Sequence, residues 1–328
     1  MAEAISTVQI HRPTPLRVSR WLAAALSNWL AIGLSFVILA ELGWPGAMVF
    51  LPFALVIIGT RQHALALLAH DGAHYLCSRN RTLNDGLATV LCAYPLMASL
   101  RSYRRFHMEH HRHVGTSEDP EFDYKRGMAP RWDLPMARKQ IYRQFAKDCL
   151  GLGLPDIVQT VKTLRPIDAR DATLLALFWS TVAATLFLTG YLWCLAVWFV
   201  ALNTVQWAVF RVRTWTEHAG LGVGETHRLS ATWWQRFMFF PTNTWCHYEH
   251  HESAATPFYE LPQLRSRVTG APEALSLGEV LDLFATMPAC ASGQVPTRFV
   301  PPVPTVQVWL ARDANPAQSG VREIGTQR

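Results

Sequence analysis

The apolar stretches of this chain come in a regular order. Trp21 to Leu42 is long enough to cross a bilayer, which takes roughly 20 apolar residues, and Trp44 to Thr60 lies near the lower limit. Gly43, Trp44 and Pro45 predict the turn between them. Ala172 to Phe210 is about twice the length of one span and carries Gly190 near its middle, which predicts two more helices joined by a tight turn. The pattern therefore predicts four spans paired as two hairpins. The second and fourth are expected to run on past the lipid. Arg61-Gln62-His63 ends the lipid-facing part of the second, yet Ala64 to Ala69 are good helix formers that lead to His70. In the fourth, Arg211, Arg213 and the stretch Thr214 to His218 place His218 about two turns beyond Phe210.

Asn84 to Leu100 is also apolar over roughly the minimum length of a span. Tyr94-Pro95 interrupts it, and Arg101, Arg104 and Arg105 would anchor its end at the headgroups, so a helix lying in the interface or dipping in and out is expected instead. After Leu264 a short helix is expected near Ala274 to Met287, followed by an irregular Pro-rich stretch from Val295 to Val306. The organisation that follows is a polar N-terminal segment over 1–20, one membrane domain over 21–264 and a partly disordered C-terminal segment over 265–328. The first twenty residues are polar and basic with no small-residue cleavage site, so no removable signal peptide is read there.

Composition agrees with a membrane setting. Half of the residues are hydrophobic, only 16% are charged, and 13 of the 328 are tryptophan. Of the 30 Lys and Arg, three precede the first span, seventeen lie between Arg61 and Arg170, ten follow Phe210, and none falls in either short turn. The positive-inside rule then puts both termini and the long middle segment in the cytoplasm.

Nine of the 13 histidines fall into a pattern: His70 with His74, His107-Met-Glu-His110-His111, His247-Tyr-Glu-His250-His251, and a single His218. Residues three and four apart share a helix face, so each set presents its rings together, and three such faces can surround two metal ions. Imidazole is a borderline ligand for iron, zinc and copper. Neither Glu109 nor Glu249 directly follows its histidine, as the base of a zinc hydrolase helix does, and nine histidines exceed a four-ligand structural zinc site. A dinuclear centre with four or five nitrogens per metal uses them all, and imidazole without thiolate suits iron that binds dioxygen. Asp71, Glu109 and Glu249 lie inside the boxes as candidate acceptors of hydrogen bonds from ligand rings, or else as solvated charges. His113, two residues on from His111, points off the shared face and is expected to hydrogen-bond around the ligands rather than join them.

The remaining signals mostly exclude. Cys77, Cys92, Cys149, Cys194, Cys246 and Cys290 contain no CxxC pair, so an electron donor must be a separate protein. Gly151-Leu-Gly153 and Gly222-Val-Gly224 lack dinucleotide-binding spacing. Arg101, Arg104, Arg105, Lys125, Arg126 and Arg131 suit an anionic lipid, a phosphate-bearing carrier or an acidic donor, and nucleic acid is not expected.

These residues resemble the integral-membrane fatty acid desaturases and their hydroxylase and ketolase relatives, a family marked by one HxxxH or HxxxxH box and two HxxHH boxes. The resemblance extends to Thr116-Ser-Glu-Asp-Pro120, to Trp233-Trp234-Gln235-Arg236 with Pro241-Thr-Asn243, and to Pro257-Phe-Tyr-Glu-Leu-Pro262, and covers roughly Trp21 to Leu264. It implies an all-α membrane protein with four transmembrane helices in two hairpins and a cytoplasmic helical cap holding a histidine-rich di-iron site. The implied metal ligands are His70, His74, His107, His110, His111, His218, His247, His250 and His251, with two iron ions as cofactor and O2 as co-substrate. Thr214 stands where relatives often carry an asparagine that holds a metal-bound water. This chain also has Ser253-Ala254-Ala255 where many relatives carry Phe-Pro, so the loop closing the site is shaped differently. The implied activity is desaturation of a fatty acyl or lipid-like chain, with electrons from a ferredoxin or cytochrome b5 type of donor. Hydroxylation or ketolation at the same site is the alternative. A metal transporter or histidine-rich structural protein is disfavoured because the boxes lie outside the spans. The expected location is the inner (plasma) membrane of a bacterium.

Overall fold

The computed structural model describes residues 16–286 apart from 122–124, 126–127, 129–130, 165–166 and 223. The expectations for the first fifteen residues and for the Pro-rich stretch and tail lie outside the described residues. The protein is mostly helical. Four helices are long and apolar enough to cross a membrane: α1 (Val18–Glu41), α2 (Gly43–Ala73), α7 (Ala169–Leu188) and α8 (Trp193–His218). Between α2 and α7 come α3 (Arg81–Ala88), α4 (Leu100–His113), α5 (Arg138–Cys149) and α6 (Leu154–Thr163). After α8 follow α9 (Trp233–Met238), α10 (His247–Glu252), α11 (Leu261–Arg265) and α12 (Leu277–Thr286). The only strands among the described residues are a two-residue parallel pair, Leu229↔Leu275 and Ser230↔Ser276.

In α1, Trp21, Ala25, Asn28, Ile32, Ser35 and Leu39 are buried at alternating spacings of four and three, the stripe that one helix presents to another. The stripe packs on α2, and Gly43 at φ +63° supplies the left-handed residue that reverses the chain between them. The helix starts at Gly43, so Trp44 and Pro45 belong to its first turn rather than to the connection.

Both α2 and α8 change character along their length. Trp44, Val49 and Phe53 are exposed apolar residues, whereas nearly every residue from Ile58 to Ala73 is buried. In α8, Val200 is exposed while Trp207 to Glu217 are buried except for Phe210. The two helices meet where Gly59 faces Val205: a Cβ on Gly59 would come within 2.7 Å of the Val205 side chain, so no larger residue fits without a shift. Both helices continue unbroken to His70 and His218, as the run of good helix formers predicted, although α8 relaxes into a π-helical turn at Leu202–Gln206.

Residues 84–100 do not form a span. After α3 the chain takes a π turn (Thr89–Ala93) and a 3-10 turn (Tyr94–Leu96), and Met97 at φ 59° turns it toward α4. Pro95 lacks the N–H that a continuing helix requires. Three indoles hold this segment to the long helices by donating to its carbonyls: Trp29 to Leu91, Trp179 to Tyr94 and Trp198 to Pro95, at 2.9, 2.9 and 3.1 Å.

A second hydrophobic cluster joins Trp132, Ile141, Trp207, Trp215, Phe240 and Trp245 with Val280, Leu281 and Phe284 of α12, so the chain beyond residue 264 packs into the same body up to Thr286. Arg211 crosses this cluster with no exposed surface, paired with Asp148 and Asp156 and lying within 4.8 to 5.6 Å of three indole rings. A buried arginine with one carboxylate from α5 and one at α6 ties the end of α8 to both helices.

Candidate metal centre

All nine box histidines converge. His70 and His74 come from the end of α2, His107, His110 and His111 from α4, His218 from the end of α8, and His247, His250 and His251 from α10. They separate into two groups. In the first, His70, His74, His107, His111 and His250 each offer a ring nitrogen, all within 4.8 Å of one another. Its Nε2 atoms face each other: His107 to His74 at 2.9 Å, His111 to His107 at 3.0 Å, His250 to His111 at 3.1 Å. His70 Nε2 is buried with no hydrogen-bond partner. In the second, His110, His218 and His251 lie within the same limit, and His247 Nε2 joins them at 3.1 Å from both His218 and His251. His110 and His218 approach to 3.3 Å.

Each imidazole nitrogen carries either one proton or one lone pair, so the Nε2 atoms of His107 and His111, which each face two others, can complete only one of those contacts as a hydrogen bond. Burial pushes the pKa of His74, His107, His111, His247, His250 and His251 well below the ordinary value, so the rings are neutral and their lone pairs are available. Ligands at about 2.0–2.1 Å on neighbouring coordination positions stand roughly 3 Å apart. The arrangement is compatible with a metal site.

Three carboxylates back the second group. Asp119 accepts from His110 Nδ1 at 3.0 and 3.1 Å, and Glu121 lies 3.2 Å from the same nitrogen. Burial pulls His110 down, but Glu121 and Asp119 outweigh it and hold the ring above its ordinary pKa. Burial favours the protonated form of Glu121, yet Lys125 at 2.7 Å and His110 hold that carboxyl below the usual range. Glu217 lies 3.2 Å from His247 Nδ1 and 2.5 Å from Arg213. These residues were missed by sequence reasoning, although Asp119 stands in the Thr116 to Pro120 run and Glu217 directly precedes His218.

Other expectations change. Glu109 accepts from no ligand ring: it lies half exposed on the outer face of α4, paired with Arg112 and with His113 at 3.5 Å. Glu249 is fully buried, but its partners are Arg228 at 2.7 Å and Arg265 at 3.3 Å rather than an imidazole. The reason is helical phase, since the middle position of an HxxHH box points away from the three rings. Asp71 is 3.8 Å from His70 Nδ1, beyond a hydrogen bond, and accepts from the Phe258 backbone at 3.2 Å. His113 stands outside both groups, 3.1 Å from Glu118. The Thr214 hydroxyl donates to the carbonyls of Phe210 and Arg211 at 3.1 Å, so its proton is committed to the backbone of its own helix. Among the basic residues, Arg101, Arg104 and Arg131 are paired with Asp168, Asp85 and Asp156. Arg126 lies outside the described residues.

Comparison with known proteins agrees with the motifs. The family model described as fatty acid desaturase matches residues 45–278, more than half of the chain and all nine histidines. The chain belongs to the fatty acid desaturase family. Among curated members, the dihydrorhizobitoxine desaturase of Bradyrhizobium elkanii is 26% identical over 234 residues, 64% of this chain and 65% of that protein. The sn-1 acyl-lipid omega-3 desaturase (ferredoxin) of Nostoc sp. (strain 36) is 29% identical over 110 residues, 34% of this chain and 30% of that one. The chain thus spans a little under two thirds of the first desaturase's length and about a third of the second's. No solved structure matches it.

Proposed function

We propose that this family member is an O2-dependent di-iron desaturase of a fatty acyl or lipid-like chain. The observation that carries the reading is the division of nine converging imidazoles into groups of five and four. The residues fit the metal: the donor set is all nitrogen, His70 Nε2 has no other partner, and no cysteine belongs to either group. The ligands of one iron would be His70, His74, His107, His111 and His250, and those of the other His110, His218, His247 and His251.

With both irons bound, the site would supply the chemistry that removes two hydrogens from neighbouring methylenes while O2, two donor electrons and two protons from solvent complete two waters. The chain's own residues do the rest. The ends of α2, α4, α8 and α10 aim the rings inward, Asp119 and the Glu225 carbonyl orient two of them, and burial keeps bulk water from the nitrogens. Four membrane helices paired as two hairpins, with both termini and the histidines in a cytoplasmic cap, would let an apolar chain pass from the bilayer to the centre. The uncharged short turns of the sequence support that orientation. The inner (plasma) membrane of a bacterium is the proposed location. A donor of ferredoxin or cytochrome b5 type is proposed, the first being the type printed in the name of the Nostoc relative.

The test is mass spectrometry of lipids and acyl metabolites from cells expressing the protein, beside His250→Ala at matched expression, with iron measured in both purified proteins. A species two hydrogens lighter, seen only with the intact protein, is expected. A product one oxygen heavier would make it a hydroxylase or ketolase, and an intact protein with no bound iron would overturn the di-iron reading.

A further inference from the structure

Hydrogen bonding is distributed unequally between the two histidine groups. In the four-histidine group two rings are anchored at Nδ1, His110 by Asp119 and His218 by the Glu225 carbonyl at 3.1 Å, while the Glu217 oxygen that lies 3.2 Å from His247 Nδ1 makes no hydrogen bond. The Asp119 anchor is itself held. Asp119 also accepts from the backbone of Gly115 and Glu121 at 3.0 and 2.9 Å, which wraps the loop after α4 around the carboxylate. Arg213, one helical turn before Glu217 and equally buried, pairs with the Glu217 carboxylate. In the five-histidine group, no carboxylate among the described residues lies within hydrogen-bond distance of a ring nitrogen. Asp71 stops 3.8 Å short of His70, and His74 Nδ1 is buried without a hydrogen-bond partner.

We propose that the two groups hold their metals with unequal strength, the four-histidine group being the tighter, and that Asp119 is the positioning residue that contributes most to the difference. The proposal rests on the di-iron reading above. A ring that ligates through Nε2 must carry its proton on Nδ1. An acceptor waiting there selects that tautomer, fixes the ring plane and makes Nε2 more basic, and losing such an acceptor typically costs 10- to 100-fold in metal affinity. When His74 ligates, its Nδ1–H becomes a buried donor with nothing to receive it, which opposes binding. The extra nitrogen of the five-histidine group adds one ligand. Two anchored rings on the other side, each with a factor of about ten or more, outweigh it.

The test uses the full-length protein, loaded anaerobically with ferrous iron and challenged with a graded chelator, the retained iron being counted by mass spectrometry. Two iron equivalents are expected to leave in separate steps, the second at a chelator concentration at least about tenfold higher. Asp119→Asn is expected to bring the late step forward by about 10- to 100-fold and leave the early step in place, with Asp119→Glu intermediate. Asp119→Ala is expected to do the same, and circular dichroism checks that each variant folds. His74→Ala is expected to remove the early step alone. Release of both equivalents together, or an Asp119→Asn effect confined to the early step, overturns the inequality while leaving two metals in place. A protein that retains no iron before chelator is added overturns the di-iron reading and the inequality with it.

Discussion

The two HxxHH boxes have the same spacing and opposite loyalties. In α4, His107 and His111 serve the five-histidine group and His110 crosses to the other, whereas in α10 His247 and His251 serve the four-histidine group and His250 crosses. The split follows from helix geometry. Positions i and i+4 lie about 40° apart around the axis, while i+3 lies about 100° from i+4 at 3.6 residues per turn, so the lone ring always faces the other centre. Each box thus bridges both groups. The surroundings differ: α4 is a 14-residue helix whose box glutamate looks outward, and α10 is a six-residue helix whose box glutamate is locked inside. Identical motifs show which rings go together, but not what holds them.

The largest expected effect is symmetric. His107→Ala and His247→Ala each remove a ring from the middle of one group, and each is expected to lower iron from two equivalents to about one and product to background. A variant that keeps both equivalents would break the assignment of rings to groups. Next comes an asymmetry. Glu249→Gln leaves Arg228 and Arg265 without their buried counter-charge and is expected to cost about 3–5 kcal/mol of stability, read by thermal unfolding, with iron per folded chain unchanged. Iron loss at full stability would instead mean that Glu249 acts on the rings.

Acid should weaken both boxes together. Burial holds the rings of His74, His107, His111, His247, His250 and His251 well below the ordinary value of 6.5, so the unfolded chain takes up protons that the folded one refuses. Their contribution to the stability of the metal-free protein is complete above about pH 6.5 and is lost progressively as the pH falls below it. Thermal midpoints of metal-free protein are therefore expected to fall between about pH 7.5 and 5.5, and a flat profile would contradict neutral buried rings. The smallest effect is at the counterpart of Glu249. Glu109→Gln removes only exposed pairs with Arg112 and His113 and should change stability by less than about 0.5 kcal/mol and leave iron content unchanged.

Much of this was legible from residue order. Helix length and apolar content located four candidate spans, and the helix formers from Ala64 to Ala69 announced that α2 would carry on to His70. The Tyr94-Pro95 break marked residues 84–100 as something other than a span. The network around the rings was not legible. Asp119 reaches His110 because the loop after α4 folds back onto the carboxylate, and Glu217 reaches His247 because α8 and α10 meet at the centre. Neither contact has a local period to betray it.

What residue order alone determined is therefore what depends on local chemistry: apolar length, helix propensity, and the shared face of residues three and four apart, which together made nine histidines a metal-binding candidate within a membrane protein. Only the tertiary structure decided which histidines group together, that Glu109 and Glu249 turn away from the rings, and that Asp119 supports one group while the other is left without a carboxylate among the described residues. The reason is physical. A hydrogen bond between residues dozens of positions apart is set by how buried surfaces close over one another, and a motif repeated every three or four residues carries no record of that closure.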